Sequence, residues 1–379
     1  MLKFDIITIS SRKIKRGMFI TFLFISLLAN SHVFADTILL KSGTKFDATV
    51  IERNDHGVVV DFNGNRFTYR EDEIESIQPL DSASSKKVSE CEKAYRSNQF
   101  ERTLDLCHKL IESEPNNASA YSLMGGALDN LNKPEEAVTY YQKAVDIDSN
   151  NATRYLDLGA ALDRLMKYEK YDEAITNYKK AIELQPNFFE AYNNLGNVLA
   201  AQENFEEALL NYKKAIELSS KPTLGFGGGY TAYIGLAGML LQLNRIEEAL
   251  SYCQKAETIY PNEPIVMNML GYVLLNLNRF EESISYYKQV EGLVGLSNHN
   301  QAIQNNLLSE SFYGLGYALF QLAAKTNNES LLREAIDPFK KSIGLNPKDV
   351  GSYGHLAGIY QALGDIEQTE YYLKKAIEL

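Results

Sequence analysis

A spacing that recurs along this chain at a pitch of 34 residues constrains its fold more than any single residue does. The clearest copy is Ala191 to Leu218, AYNNLGNVLAAQENFEEALLNYKKAIEL. Tyr192, Leu195, Gly196 and Leu199 fall at i, i+3, i+4 and i+7, which is one face of a 3.6-period helix. Asn204 marks a turn, after which Phe205, Ala208, Leu209, Tyr212, Ala215 and Ile216 make a second apolar stripe. The glycine and alanines are small enough for two helix axes to approach closely. One such hairpin cannot bury its own stripe, so it requires neighbours of the same kind.

The chain supplies them. Tyr121, Gly125, Ala137, Tyr141 and Ala144 repeat the pattern, as do Tyr155, Gly159, Ala174, Tyr178 and Ala181. Further copies run through Tyr233, Ala249 and Cys253; Met267, Gly271 and Tyr287; Phe312, Gly316 and Phe339; and Tyr353, Leu356 and Leu373. A weaker first copy lies near Ser84 to Asn117, with Phe100, Leu104 and Leu110 in place. The sequence aromatic, Leu, Gly, then Ala, aromatic, Ala, then Pro resembles the tetratricopeptide repeat, and the resemblance covers about eight units. It implies a mainly α fold, an α-solenoid wound as a right-handed superhelix. Insertions fall at Thr223 to Gly229, about Gly292 to Asn306 and about Lys325 to Ser330. The last copy stops at Leu379 inside its second helix, which leaves Ile377 and Leu379 partly exposed and suggests a fragment, a partner or self-association.

In arrays of this family the first helices line a concave groove that binds peptides. In the fourth unit those helices carry Asn193, Asn194 and Asn197, which resembles the asparagine-lined groove of the O-linked N-acetylglucosamine transferase repeats. The resemblance implies backbone hydrogen bonds to a bound peptide. The positions equivalent to Asn194 hold Leu123, Asp157, Gly235 and Met269, so no continuous asparagine ladder is expected. A lysine-rich clamp for a C-terminal carboxylate is not expected either. Downstream the groove turns apolar, and Met269, Tyr272, Tyr313 and Tyr317 are the expected anchors for a peptide segment.

Ahead of the repeats the organisation changes. Residues 1–35 read as an export signal: Arg12, Lys13, Lys15 and Arg16 precede an apolar run from Met18 to Ala29, and Val33 to Ala35 offers a cleavage site. The run is shorter than the roughly 20 residues a membrane span needs, so an uncleaved anchor is the lesser expectation. The mature chain is then periplasmic or extracellular. From residue 36 to 79 the period is two, with Phe46, Ala48 and Val50, then Val58, Val60 and Phe62, alternating with polar residues. This segment resembles a small β-barrel of the Src-homology-3 or Sm kind. Residues 80–87 read as a serine-rich linker, and the repeat array is placed at 88–379.

Chemistry is sparse. Gly225 to Gly229 lack the lysine and serine of a phosphate loop, and His56, His108, His299 and His355 have no metal-ligand spacing. Glu206-Glu207, Glu247-Glu248 and Glu281-Glu282 open second helices, where the helix dipole favours them. Neither catalytic residues nor cofactors are expected. Loss of residues 1–35 removes five basic residues and one acidic, leaving 33 basic against 48 acidic, or −15 from −11, which argues against nucleic acid. Cys91 and Cys107 face each other across one hairpin, so a disulfide is possible in an oxidising compartment; the alternative is small buried apolar residues. The sequence thus points to a non-catalytic scaffold or adaptor for peptide segments of envelope or secretion machinery. Alternatives are an accessory subunit of a glycosyltransferase-like or peptidoglycan-processing system, or binding through the barrel with the repeats as spacer.

Overall fold

The computed structural model describes residues 36–41, 45–54, 57–62, 65–79, 82–165, 168–219, 229–295, 297 and 301–379. The expected signal segment lies outside them, as does nearly all of the insertion at Thr223 to Gly229. By packing, the chain divides into two compact units, at Gly235/Leu236.

The first unit opens with β1 (Asp36–Leu40), β2 (Lys45–Asn54), β3 (Gly57–Phe62), β4 (Asn65–Tyr69) and β5 (Ile74–Pro79). They form an antiparallel sheet in the order β4-β3-β2-β1-β5. Among the described residues β4 and β5 lie at opposite edges and do not pair with each other, so the structure shows a five-stranded antiparallel sheet and the expected barrel is not shown. A bulge at Val50/Glu52 shifts the register of β2 against β3.

The helices of this unit pair as hairpins: α1 (Ser82–Arg96) with α2 (Phe100–Ser113), α3 (Ala118–Asn130) with α4 (Pro134–Ile147), α5 (Ala152–Arg164) with α6 (Tyr168–Leu184), and α7 (Phe189–Ala201) with α8 (Phe205–Ser219). The expected linker at 80–87 is corrected, because α1 already begins at Ser82. Composition misled here: Val88, Cys91 and Tyr95, at i, i+3 and i+7, are buried, and their packing carries the helix through a serine-rich start. Cys91 and Cys107 are free thiols, both buried in the one cluster that joins α1 and α2.

Helix α9 (Tyr230–Gln242) contains the division between the units. The second unit holds α10 (Ile246–Ile259), α11 (Pro264–Asn276) paired with α12 (Phe280–Val294), and α16 (Val350–Ala362) paired with α17 (Ile366–Glu378). Between them the 26-residue α13 (Gln301–Thr326) packs on α14 (Glu329–Glu334) and α15 (Ile336–Leu345). The expected loops near residues 292–306 and 325–330 are therefore largely absorbed: α12 runs to Val294, and α13 starts at Gln301 and extends to Thr326.

Local chemistry sets the helix ends. The side chains of Asn117, Asn151, Asp349 and Asp365 accept first-turn backbone N–H groups, and Pro134 and Pro264 open α4 and α11. The paired glutamates fall in the first turns of α8, α10 and α12, as the dipole argument requires. Turns within hairpins use a left-handed residue, which is asparagine at 98, 132, 244, 278 and 327. In the fourth hairpin that residue is Glu203 (φ 63°), one place before the expected Asn204. A glutamate there carries strain of about 1 kcal/mol.

Aromatic rings lock the hairpins. A Cβ added at Gly125, Gly159, Gly196 or Gly271 would stand 2.8–2.9 Å from the ring of Tyr141, Tyr178, Tyr212 or Tyr287, respectively. Tyr212 also lies against Gly235, and Tyr287 against Gly314, so one ring ties two successive hairpins together.

Candidate functional site: the inner faces of the first helices

First helices pack on the second helix before them, α3 on α2, α5 on α4 and α7 on α6 in the first unit, α11 on α10, α13 on α12 and α16 on α15 in the second, and also on the next first helix: α1 on α3, α3 on α5 and α5 on α7, then α11 on α13 and α13 on α16. First helices therefore line the inner side of each unit, and their side chains decide what a partner would meet there.

In the first unit this side is polar and buried. Arg154 donates to the hydroxyls of Ser122 and Ser119, each at 3.0 Å, which joins α5 to α3. Arg164 pairs with Asp129 across the same two helices. Burial raises the Asp129 carboxyl above its usual range, although Arg164 opposes the shift. Asp163, also buried, is pushed up to about 7, and Glu190 on α7 to about 8, in both cases by desolvation.

The three asparagines expected to bond a peptide are buried as well, at 3%, 1% and 2% exposure for Asn193, Asn194 and Asn197. Asn197 Oδ1 accepts from the Tyr212 hydroxyl at 2.8 Å, so this side chain fixes the locking ring of its own hairpin. Asn193 donates to Asn194 Oδ1 at 3.4 Å, and Asn194 also lies beside the buried Tyr178 hydroxyl. Their amides are thus partly committed to holding hairpins together, and Asn193 Oδ1 is buried without a hydrogen-bond partner.

In the second unit the inner side is aromatic. Tyr313 and Tyr317 stack one turn apart on α13, with centroids 6.3 Å apart and planes 4° from parallel. The Tyr313 hydroxyl lies 3.3 Å from His355 Nε2, and the His355 ring lies 5.1 Å from Tyr317, 5.6 Å from Phe320 and 5.2 Å from Phe339. Desolvation pushes the imidazole down to about 4, which keeps His355 neutral near neutral pH. Tyr272 and Tyr317 both pack against the buried cluster of Leu275, Phe280, Ala318 and Leu322, and burial raises the Tyr272 hydroxyl. Tyr272, Tyr313 and Tyr317 are each half-buried. Met269 is corrected: at 0% exposure it belongs to the core and presents nothing to a partner.

The structure therefore brings together Tyr272, Tyr313 and Tyr317 and adds His355, which sequence reasoning weighed only as a metal ligand. Its signal was available: His355 follows Tyr353 by two places, as Asn194 follows Tyr192. Among the described residues no cluster of His, Cys, Asp and Glu fits a metal ion. No helix of the described residues is long and apolar enough to cross a membrane.

Profiles described as TPR repeat and tetratricopeptide repeat match residues 163–203, 187–262, 118–151, 265–293 and 350–379. No curated protein sequence matches the chain. Among solved structures it is similar to a chain of the APC/C hetero-tetramer Cut9–Hcn1, at 20% identity and a TM-score of 0.55 over 78% of this chain and 53% of that one. The chain thus spans about half the length of that relative. Pseudomonas aeruginosa pilF aligns at 19% identity and a TM-score of 0.46, over 62% of this chain and 94% of its own. YrrB, a TPR protein with an unusual peptide-binding site, aligns at 22% identity and 0.38, over 56% of this chain and 95% of its own. Interlocked hairpins, left-handed turn residues and matching profiles lead to one conclusion: this chain carries tetratricopeptide repeats.

Proposed function

We propose that the chain is a non-catalytic scaffold that holds an extended polypeptide segment against the aromatic inner side of α11, α13 and α16. The observation that carries this reading is the half-buried set Tyr272, Tyr313 and Tyr317, held rigid by stacking and by His355. Tyrosine offers a large contact area with few rotatable bonds, so a pre-ordered cluster loses little entropy when a partner docks. The neutral imidazole favours an apolar or aromatic side chain of the partner over an anionic one. We further read residues 1–35 as an export signal, which places the partner in the cell envelope or outside the cell.

Selection of random twelve-residue phage-displayed peptides on the immobilised full chain tests this without knowledge of the natural partner. Selected peptides are expected to bind Tyr317→Ala and Tyr272→Ala at least tenfold more weakly, with unchanged far-ultraviolet circular dichroism. Equal binding to the parent and both variants would move the site elsewhere.

A further inference from the structure

In the first hairpin a pair of cysteines stands where the locked hairpins carry their glycine and ring. The left-handed turn residue gives the register: Asn132, Glu203 and Asn278 each follow the glycine, Gly125, Gly196 or Gly271, by seven places and precede the ring, Tyr141, Tyr212 or Tyr287, by nine. Asn98 holds the same place between Cys91 and Cys107. A Cβ at each of those three glycines would stand 2.9 Å from the facing ring, so the position of Cys91 aims its side chain at the position of Cys107. Both thiols are buried, at 1% and 0% exposure, in the cluster that joins α1 and α2. Each is the first influence on the other's ionisation, which lowers the Cys91 thiol and raises that of Cys107.

The same register isolates the third cysteine. Asn244 follows Ala237 by seven places and precedes Cys253 by nine, so Cys253 takes the ring position opposite a methyl group rather than a second sulfur. Burial pushes its thiol up. A disulfide needs two Cβ atoms about 3.5–4.5 Å apart, a separation that suits a side chain aimed at its neighbour across a closely packed hairpin. With sulfur in place of the ring, the first hairpin has the geometry for that bond. It also has no tyrosine at this place to hold its helices together.

We propose that Cys91 and Cys107 are a thiol–disulfide exchange site, a redox-operated lock that ties α1 to α2 where the locked hairpins use glycine and tyrosine. The reactant is a disulfide, of low molecular weight or on a protein. The Cys91 thiol gives up its proton, and the thiolate attacks one sulfur of that disulfide and expels the other as a thiolate, which takes up a proton. Cys107, deprotonated in turn, attacks the Cys91 sulfur of the mixed bond and releases the second thiol. Two thiols of the chain are oxidised to one disulfide, and the reactant is reduced to two thiols. Because both sulfurs are buried, exchange requires α1 to open locally, and the new bond then opposes that opening. The site is independent of the aromatic inner face, which belongs to the second unit.

The test incubates the reduced, folded full chain with oxidised glutathione, alkylates it under denaturing conditions and maps the cysteines by mass spectrometry. The expected product is a Cys91–Cys107 disulfide, with Cys253 recovered as an alkylated thiol. Amide hydrogen exchange of α1 should slow at least tenfold in that product and return to its starting rate on reduction with dithiothreitol. Cys91→Ala and Cys107→Ala, treated in the same way, should show no such slowing. Three alkylated cysteines, glutathione adducts without the intrachain bond, or a Cys91–Cys107 bond that leaves α1 exchange unchanged would each overturn the proposal. Bonds that join Cys253 to either of the other two would do the same, by showing that only unfolded chains react.

Discussion

Tyr287→Ala is expected to destabilise the second unit by about 3–5 kcal/mol, the range for emptying a large buried aromatic site. Tyr287 is 1% exposed, sits in the cluster with Leu315, Leu319 and Phe339, and lies against both Gly271 and Gly314. Its removal therefore loosens two hairpin junctions at once. Gly314→Val should do comparable harm from the other side, at about 2–3 kcal/mol, because the ring has no room to retreat. Tyr287→Phe is the control: the Tyr287 hydroxyl has no hydrogen-bond partner, so its loss should be neutral or slightly stabilising. Because repeat arrays unfold by segments, the measurement is urea dependence of hydrogen exchange read on α11 to α15. A loss under 1 kcal/mol for both Tyr287→Ala and Gly314→Val would contradict the interlock.

Arg164→Met should cost the first unit a similar 3–5 kcal/mol at pH 7, since it strands the Asp129 carboxylate, whose side chain is 4% exposed. The pH dependence follows. Without Arg164 the folded-state pKa of Asp129, already raised by burial, rises further above its unfolded value. A carboxyl raised in the folded state binds its proton more tightly there, so its penalty is absent below the unfolded pKa and grows as pH rises toward the folded one. The deficit of Arg164→Met should therefore shrink on going from pH 7 to about pH 4.5. Asp129→Asn combined with Arg164→Met should recover most of the loss at pH 7. Chemical denaturation of the three chains at the two pH values checks both statements, and a deficit unchanged by either would remove the ion pair from the account.

Much of the fold was legible because a packed helical stack writes its geometry into spacing. Tyr212 needs Gly196 within its own hairpin, and both are readable as part of one 28-residue stretch. Contacts between units of the repeat are harder to read: that Tyr212 also needs Gly235 depends on where an intervening insertion returns the chain. The asparagines show the same limit. Asn197 looked like a ligand-facing amide by register, but its partner is the Tyr212 hydroxyl, and no pattern along α7 reveals that. Composition misread residues 82–87, where tertiary packing of Val88 and Cys91 outweighs a serine-rich start. The sheet showed the correct period of two, but closure into a barrel depends on pairing between its first and last edges, which alternation cannot encode.

The most direct measurement of the central claim, that the aromatic inner face holds a polypeptide, is photocrosslinking in the producing cell with p-benzoylphenylalanine placed at Tyr317 or, as an outer-face control, at Leu210, which is 68% exposed. The account predicts a discrete adduct to another polypeptide from position 317 and none from position 210. An adduct from 210 with none from 317 would contradict it.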